Sequence, residues 1–232
     1  MLSEAMTVKE RLLTPHGELE LQQHHVDSNI QWDIIQDGSY ICSSKRGRSS
    51  VSLVNFGLDA LNDNDQIKVM IGGLGLGYSL RAALQSPKVS SVDVVEWEKA
   101  IIGWHLRFLG DYARKALMDP RTRLITENII EFLPDTNQTY NLIAIDIDSG
   151  PKDYKHPENA QLYSGEFLGT LQKHLEEGGV LTVWSDSYEE SFRDLLESLF
   201  SKVDVCRVQD KDSSGEMLEA FIYRAFTEET HP

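Results

Sequence analysis

At 232 residues the chain is long enough for one full domain plus a small appendage around a sizeable core. A formal net charge of −15 argues against nonspecific nucleic-acid binding, which needs clustered Lys and Arg, and makes a neutral or cationic small molecule the easier partner. Two distant cysteines, Cys42 and Cys206, match no disulfide framework or metal spacing and read as free thiols of a reducing compartment. With no run of about 18 apolar residues and no charged-then-apolar leader, the expectation is a soluble cytoplasmic protein that does not enter a membrane.

Residues 1–62 read as a small β-rich domain and 63–232 as the main domain. Glu18-Leu19-Glu20-Leu21-Gln22 alternates, and Ile30 to Ile35 leads through Asp37-Gly38 into Ser39-Tyr40-Ile41-Cys42, a strong hairpin signal. His24-His25 has no nearby ligand partners and reads as solvent-facing loop. Lys45-Arg46-Gly47-Arg48 is the only dense basic cluster, equally readable as a solvated loop or as a grip on an anionic group of a ligand. Val51 to Leu61 is readable as helix or as linker.

Val69-Met70-Ile71-Gly72-Gly73-Leu74-Gly75-Leu76-Gly77, followed by Tyr78 to Leu84, reads as strand, tight turn and helix, the form of a nucleotide cradle. Neither register of these glycines gives the Gly-x-Gly-x-x-Gly of dinucleotide folds, and no Lys follows for a phosphate loop. Gly73-x-Gly75-x-Gly77 resembles instead the first motif of S-adenosylmethionine (SAM)-dependent methyltransferases and their aminopropyltransferase relatives. Glu96, nineteen positions after Gly77 at the end of Val92-Asp93-Val94-Val95, is the acid expected to hold ribose hydroxyls.

Strands at 67–72, 91–96, 121–125, 140–146, 178–184, 202–208 and 217–224 alternate with helical stripes, as in a mainly parallel sheet covered on both faces. The stripes are Ile101 to Leu109, Phe167-Leu168-Leu171-Leu175 stopping at Gly178-Gly179, and Phe192 to Leu199. Gln209 to Gly215 reads as the loop joining the last two strands.

Ligands of such sheets bind beyond the carboxyl ends of the strands. There Asn128 is placed to accept a hydrogen bond from adenine, or to cap the following helix. Asp146 and Asp148 are placed to orient or deprotonate an attacking amine. Trp97 and Trp104 flank the ribose acid as candidate adenine covers or as core, while Tyr163 and Trp184 are candidate pocket linings. No metal-ligand or Ser-His-Asp spacing stands out.

Gly72 to Gly77, Val95-Glu96, Asp146 with Gly150-Pro151, Leu162-Tyr163-Ser164 and Leu175 to Leu181 together resemble the polyamine aminopropyltransferases, the spermidine and spermine synthases, over most of residues 65–200. The resemblance implies a seven-stranded Rossmann-like SAM-methyltransferase sandwich with a reversed last strand, a small N-terminal β-domain and a homodimer. It also implies cofactor contacts from Gly72, Gly73, Gly75, Gly77, Glu96, Trp97, Asn128 and Asp146. Three departures bear on activity. The loop acid that the family directs at the amino end of decarboxylated SAM is replaced by Leu74-Gly75-Leu76; the two loop acids after the fourth strand are two apart rather than three; and Ser49-Ser50-Val51 stands where a Tyr-His-Glu-like segment is expected.

These departures make methyl transfer from SAM to a small molecule the leading expectation, with Asp146 and Asp148 as catalytic acids and Asp148, Tyr163 and Trp184 near the acceptor. Aminopropyl transfer from decarboxylated SAM to a polyamine is the first alternative. A spermidine-synthase-like binding protein without catalysis is the second.

Overall fold

The alternation in the first forty residues becomes four antiparallel strands, β1 (Ala5–Thr14), β2 (Gly17–Val26), β3 (Asn29–Gln36) and β4 (Ser39–Ser43), in that order across the sheet. The structure is a computed structural model that describes residues 5–26, 29–61, 66–152, 157–211 and 217–228. Asp37 and Gly38 both take positive φ (48° and 77°), the two-residue turn whose twist matches that of its strands. Leu19, Leu21 and Ile34 are fully buried and join the core of the larger sheet. The two histidines expected in a loop instead lie within β2, because pairing with β3 continues through His24↔Gln31 and His25↔Ile30.

A short 3-10 turn, Ser44–Arg46, leads into α1 (Gly47–Leu58), so the segment open between helix and linker is helical. α1 packs on the next helix and on the large sheet. For this reason we propose that the division between the two units falls after β4 rather than at residue 62. Packing is close at Gly57, where an added Cβ would come within 2.4 Å of Leu142 Cδ1. Gly57→Ala is expected to cost about 1–3 kcal/mol by overpacking a fully buried leucine, read as a lower urea midpoint at unchanged m-value.

The large sheet comprises β5 (Ile67–Gly72), β6 (Val89–Val95), β7 (Thr122–Ile125), β8 (Tyr140–Ile145), β9 (Leu175–Ser185), β10 (Lys202–Lys211) and β11 (Met217–Phe226). Their order is β10-β11-β9-β8-β5-β6-β7, with β11 antiparallel to both of its neighbours and the other pairs parallel. Val69, Ile71, Val92, Val94, Leu142 and Ala144 belong to one core layer, whereas Met70, Val95, Ile143, Ile145 and Leu181 belong to the other. Both faces are thus covered, which is why these strands read as continuous apolar runs.

On one side lie α2 (Tyr78–Gln85), α3 (Lys99–Arg107) and α4 (Asp111–Leu117) with α1; on the other lie α5 (Ile129–Asp135), α6 (Gly165–Lys173) and α7 (Glu190–Leu199). No helix among the described residues is long and apolar enough to cross a membrane.

Two boundaries differ from the sequence reading. α6 ends at Lys173, and Gly178-Gly179 lies inside β9 rather than stopping the helix. Tyr140↔Leu175 is followed by Leu142↔Val180, so the strand accommodates an irregularity, for which Gly178 supplies a φ of 67°. β10 runs on to Lys211, taking Gln209 to Lys211 from the expected loop, the rest of which, through Gly215, lies outside the described residues.

The strand order reverses at β5: the chain moves outward through β6 and β7, then returns to β8 on the other side. Such a reversal opens a crevice at the carboxyl ends of the two central strands, and the candidate site lies there.

Candidate active site

The spacing of the glycine loop has a conformational cause. Gly73, Gly75 and Gly77 all take positive φ (93°, 46° and 76°), while the intervening Leu74 and Leu76 are buried. Gly73 is also a close approach, since a Cβ there would lie 2.4 Å from the carbonyl oxygen of Asp146. The loop is thus pressed against the end of β8, and its alternate residues are core.

Glu96, at the end of β6, is buried and ties this loop to the next strand. Its Oε2 accepts the Leu74 N–H at 3.0 Å and its Oε1 the Glu98 N–H at 2.8 Å. Burial pushes its carboxyl above the usual range, while the backbone N–H groups of Glu98, Leu74 and Gly75 pull the other way. Asp146 is the second buried acid. Ser79 Oγ, in the first turn of α2, donates to Oδ2 at 2.5 Å, and Ser50 Oγ, on α1, lies 3.5 Å from Oδ1. Burial raises its carboxyl and the two hydroxyls partly offset this.

Around these acids lies a cavity of about 670 Å³. The crevice side contributes Glu96, Glu98, Glu127, Asp146, Asp148 and Asp186, and β3 of the small sheet contributes Asp33. Lys45 is the single cationic side chain among the described residues lining it. The cavity is therefore strongly electronegative and suited to a cationic ligand. Of the basic cluster, Lys45 alone has a described side chain on its wall, and Arg48 is exposed.

The expected site residues divide by position. Gly73, Gly75, Glu96, Trp97, Asn128, Asp146, Asp148 and Trp184 line the cavity. Gly72 faces the side chains of Ile129, Ile145 and Ile147, and Gly77 caps α2 against His105, so both shape the loop from behind. Tyr163 is a correction: its hydroxyl donates to the Ile147 carbonyl at 2.8 Å and its ring packs edge-on against Phe192, beneath the loop rather than on the cavity wall. Trp104 is fully buried and its indole N–H donates to Glu10 at 2.6 Å, which makes it core.

Asn128 caps α5 through its side-chain oxygen, 3.0 Å from the Ile130 N–H. Only that oxygen's second lone pair and the amide N–H groups therefore remain for a base. Asp148 sits at φ 57° and accepts from Asn159 Nδ2 at 2.6 Å, a strained backbone held by a side-chain bond. Trp184 carries a buried indole N–H without a hydrogen-bond partner among the described residues.

Five participants escaped the sequence reading: His16, Asp33, Ser50, Ser79 and Glu98. His16 stacks on Trp97 with ring centroids 4.0 Å apart and bonds to Glu98, while Thr14 donates to the same carboxylate at 3.2 Å. The β1–β2 hairpin is thereby latched to the strand end that carries Glu96. The one legible signal was Ser50, which stands where the aromatic segment is absent.

The family model "Spermine/spermidine synthase domain" matches residues 50–209. The chain belongs to the spermine/spermidine synthase family. A polyamine aminopropyltransferase of Sulfurisphaera tokodaii is 25% identical over 147 residues, covering 62% of this chain and 48% of the relative. Those of Saccharolobus solfataricus (29% over 115 residues; 49% and 37%) and Sulfolobus acidocaldarius (29% over 136 residues; 59% and 43%) are similar. The chain spans about half or less of the length of these curated relatives.

Among solved structures, spermidine synthase from Thermotoga maritima superposes with a TM-score of 0.73 at 20% identity, covering 94% of this chain and 72% of that one. A spermidine synthase in complex with the transition-state analogue AdoDATO gives 0.75 at 18%, covering 94% and 73%. The likeness confirms the seven-stranded fold with its small antiparallel sheet. The family membership gives no support to methyl transfer as the leading reading.

Proposed function

We propose that this protein transfers an aminopropyl group from decarboxylated SAM to the amine of a cationic small-molecule acceptor. The observation that carries this reading is the charge of the cavity, seven carboxylates against one lysine among the described lining residues. A carboxylate-bearing nucleoside would enter that field at a cost, whereas a sulfonium, an ammonium and a polyamine would all be drawn in. The lining supports this reading with a loop whose Gly73 and Gly75 carry no side chain into the cavity, and the reading assigns Glu96 to the ribose hydroxyls and Asn128 and Trp97 to the base.

When bound, decarboxylated SAM supplies a sulfonium whose neighbouring carbon is already electrophilic, so the protein's part is alignment and proton handling. In this reading Asp146 orients the acceptor amine and takes its proton, with Ser79 and Ser50 holding the carboxylate in place. Asp148, fixed by Asn159, steers the cationic chain of the acceptor.

Methyl transfer from intact SAM stands second, on two observations. The glycine loop holds buried Leu74 and Leu76 where the family's acid would lie, and Lys45 on the cavity wall offers a carboxylate partner. The open cavity argues against the non-catalytic reading. Calorimetric titration with each nucleoside separates the first two: tenfold or greater preference for the decarboxylated form is expected, and preference for SAM overturns the proposal. Glu96→Ala is expected to weaken nucleoside binding at least tenfold, about 1.4 kcal/mol.

A further inference from the structure

His105 stands on α3 behind the glycine loop, with 1% of its surface exposed and no place on the cavity wall. Its Nε2 lies 2.9 Å from the Gly75 carbonyl oxygen, which can only accept a hydrogen bond, so this nitrogen must carry a proton. Burial pushes the imidazole below its ordinary value against the pull of the Gly75 carbonyl, so at neutral pH the ring is uncharged and its one proton sits on Nε2. The same ring fills the space beside Gly77, where an added Cβ would come within 2.6 Å of His105 Cε1.

The peptide that His105 holds is gripped on both edges. Gly75 takes φ 46°, and the N–H in the same peptide plane as its carbonyl, that of Leu76, faces the buried Cys42 sulfur of β4. A trans peptide points its C=O and N–H in opposite directions, so α3 and the small sheet hold one peptide from opposite sides. Glu96 takes the preceding N–H groups, those of Leu74 and Gly75. The N–H groups of the loop thus go to Glu96 and Cys42, and the Gly75 carbonyl goes to His105.

We infer that His105 is a positioning residue for nucleoside binding: as an Nε2–H donor it fixes the Gly75–Leu76 peptide with its carbonyl turned toward α3, and so keeps the loop in the form that the ligand meets. This rests on the reading of the glycine loop as the nucleoside cradle and adds to it a side chain that touches no ligand. Without the donor that carbonyl would be a buried acceptor lacking a partner, and the loop's glycines have the backbone freedom to turn it elsewhere.

The test measures the affinity of the full chain for decarboxylated SAM by calorimetry, for the wild type, His105→Leu, His105→Gln and Gly57→Ala, each shown to be folded by its thermal melt. Nitrogen NMR reads the His105 ring of the wild type without ligand. The ring is expected to be neutral with its proton on Nε2. His105→Leu, which fills the space without a donor, is expected to weaken binding at least tenfold, whereas His105→Gln, whose amide N–H can reach the same carbonyl, is expected to stay within about threefold of the wild type. Gly57→Ala loses stability away from the loop and is expected to bind within twofold of the wild type, which separates positioning from general destabilisation.

A proton on Nδ1, undiminished binding in His105→Leu, equal loss in both His105 variants, or a comparable loss in Gly57→Ala overturns the inference while leaving the nucleoside reading intact. If His105→Leu does not fold, the ring's tautomer and the affinity of His105→Gln decide. Failure of the wild type to bind either SAM or its decarboxylated form overturns the nucleoside reading instead, and the tautomer, read without ligand, still decides the hold on Gly75.

Discussion

Asp146→Asn is expected to lower turnover by about 10²–10⁴-fold while raising thermal stability. In the proposed reaction the loss follows from removal of the group assigned to accept the amine proton. The gain follows from burial: the ionised carboxylate is held out of water with only Ser79 and Ser50 to compensate, and a neutral amide of the same shape avoids that cost. The sign of the pH dependence is fixed by the same shift. Because the folded-state pKa of Asp146 is raised above 3.8, the native protein binds this proton more tightly than the unfolded chain. Its contribution to stability is therefore greatest at low pH and falls as pH rises through the raised value; Glu96 acts in the same direction from 4.5.

Glu10, Glu20 and Asp119, whose carboxyls are lowered chiefly by side-chain hydrogen bonds from Arg107, Gln22 and Arg121 respectively, act oppositely and lose their contribution as pH falls. Turnover should rise with pH through the raised Asp146 value. Melting and steady-state rates of both proteins across acidic to neutral pH check this. Undiminished turnover in the variant would remove Asp146 from the mechanism.

Gly73→Ala is expected to have the largest combined effect on folding and on nucleoside binding. At φ 93° an L side chain is strained by roughly 1–2 kcal/mol. The new Cβ would also lie 2.4 Å from a backbone carbonyl, which cannot rotate away as a side chain could. The loop and the end of β8 must separate, displacing Asp146 and the Leu74 N–H that Glu96 accepts. A total cost of about 3 kcal/mol would lower the melting midpoint by roughly 6–12 °C in a chain of this size. Nucleoside affinity should fall at least tenfold even where the variant is folded. Gly38→Ala is the control: φ is 77°, but nothing lies within 4 Å of the added Cβ, so only the backbone strain is felt and binding is unchanged. Equal effects of the two substitutions would show that loop packing is not what Gly73 protects.

The charge of the cavity also reverses a weighting made from motifs alone. Leu74 and Leu76, in place of the family's acid, point away from decarboxylated SAM when read one position at a time. In the proposed reading the field that the loop lacks is supplied by other lining acids, Glu127 beyond β7 and Asp186 after β9, which already stand after strands in the sequence, and Asp33, which only the fold brings in from the small sheet. Net charge is additive along the chain, but a local potential depends on which carboxylates the topology brings together.

Read by itself, the sequence determined the seven strands, the Asp37-Gly38 hairpin, the glycine loop, and Glu96 and Asp146 at strand ends. These features are written in short-range terms: continuous apolar runs for strands buried on both faces, positive φ for glycine, and the rule that ligands gather where a parallel sheet reverses order. Only the tertiary structure decided that Gly178-Gly179 belongs to a strand, that Tyr163 serves the loop from below, that His24 lies beside Asp33, and that Ser50 and Ser79 converge on Asp146. Each of these depends on contacts between residues distant in the chain, such as the ninety-six positions between Ser50 and Asp146. Local propensity carries no information about such pairs, because their partners are chosen by how the two sheets and α1 pack.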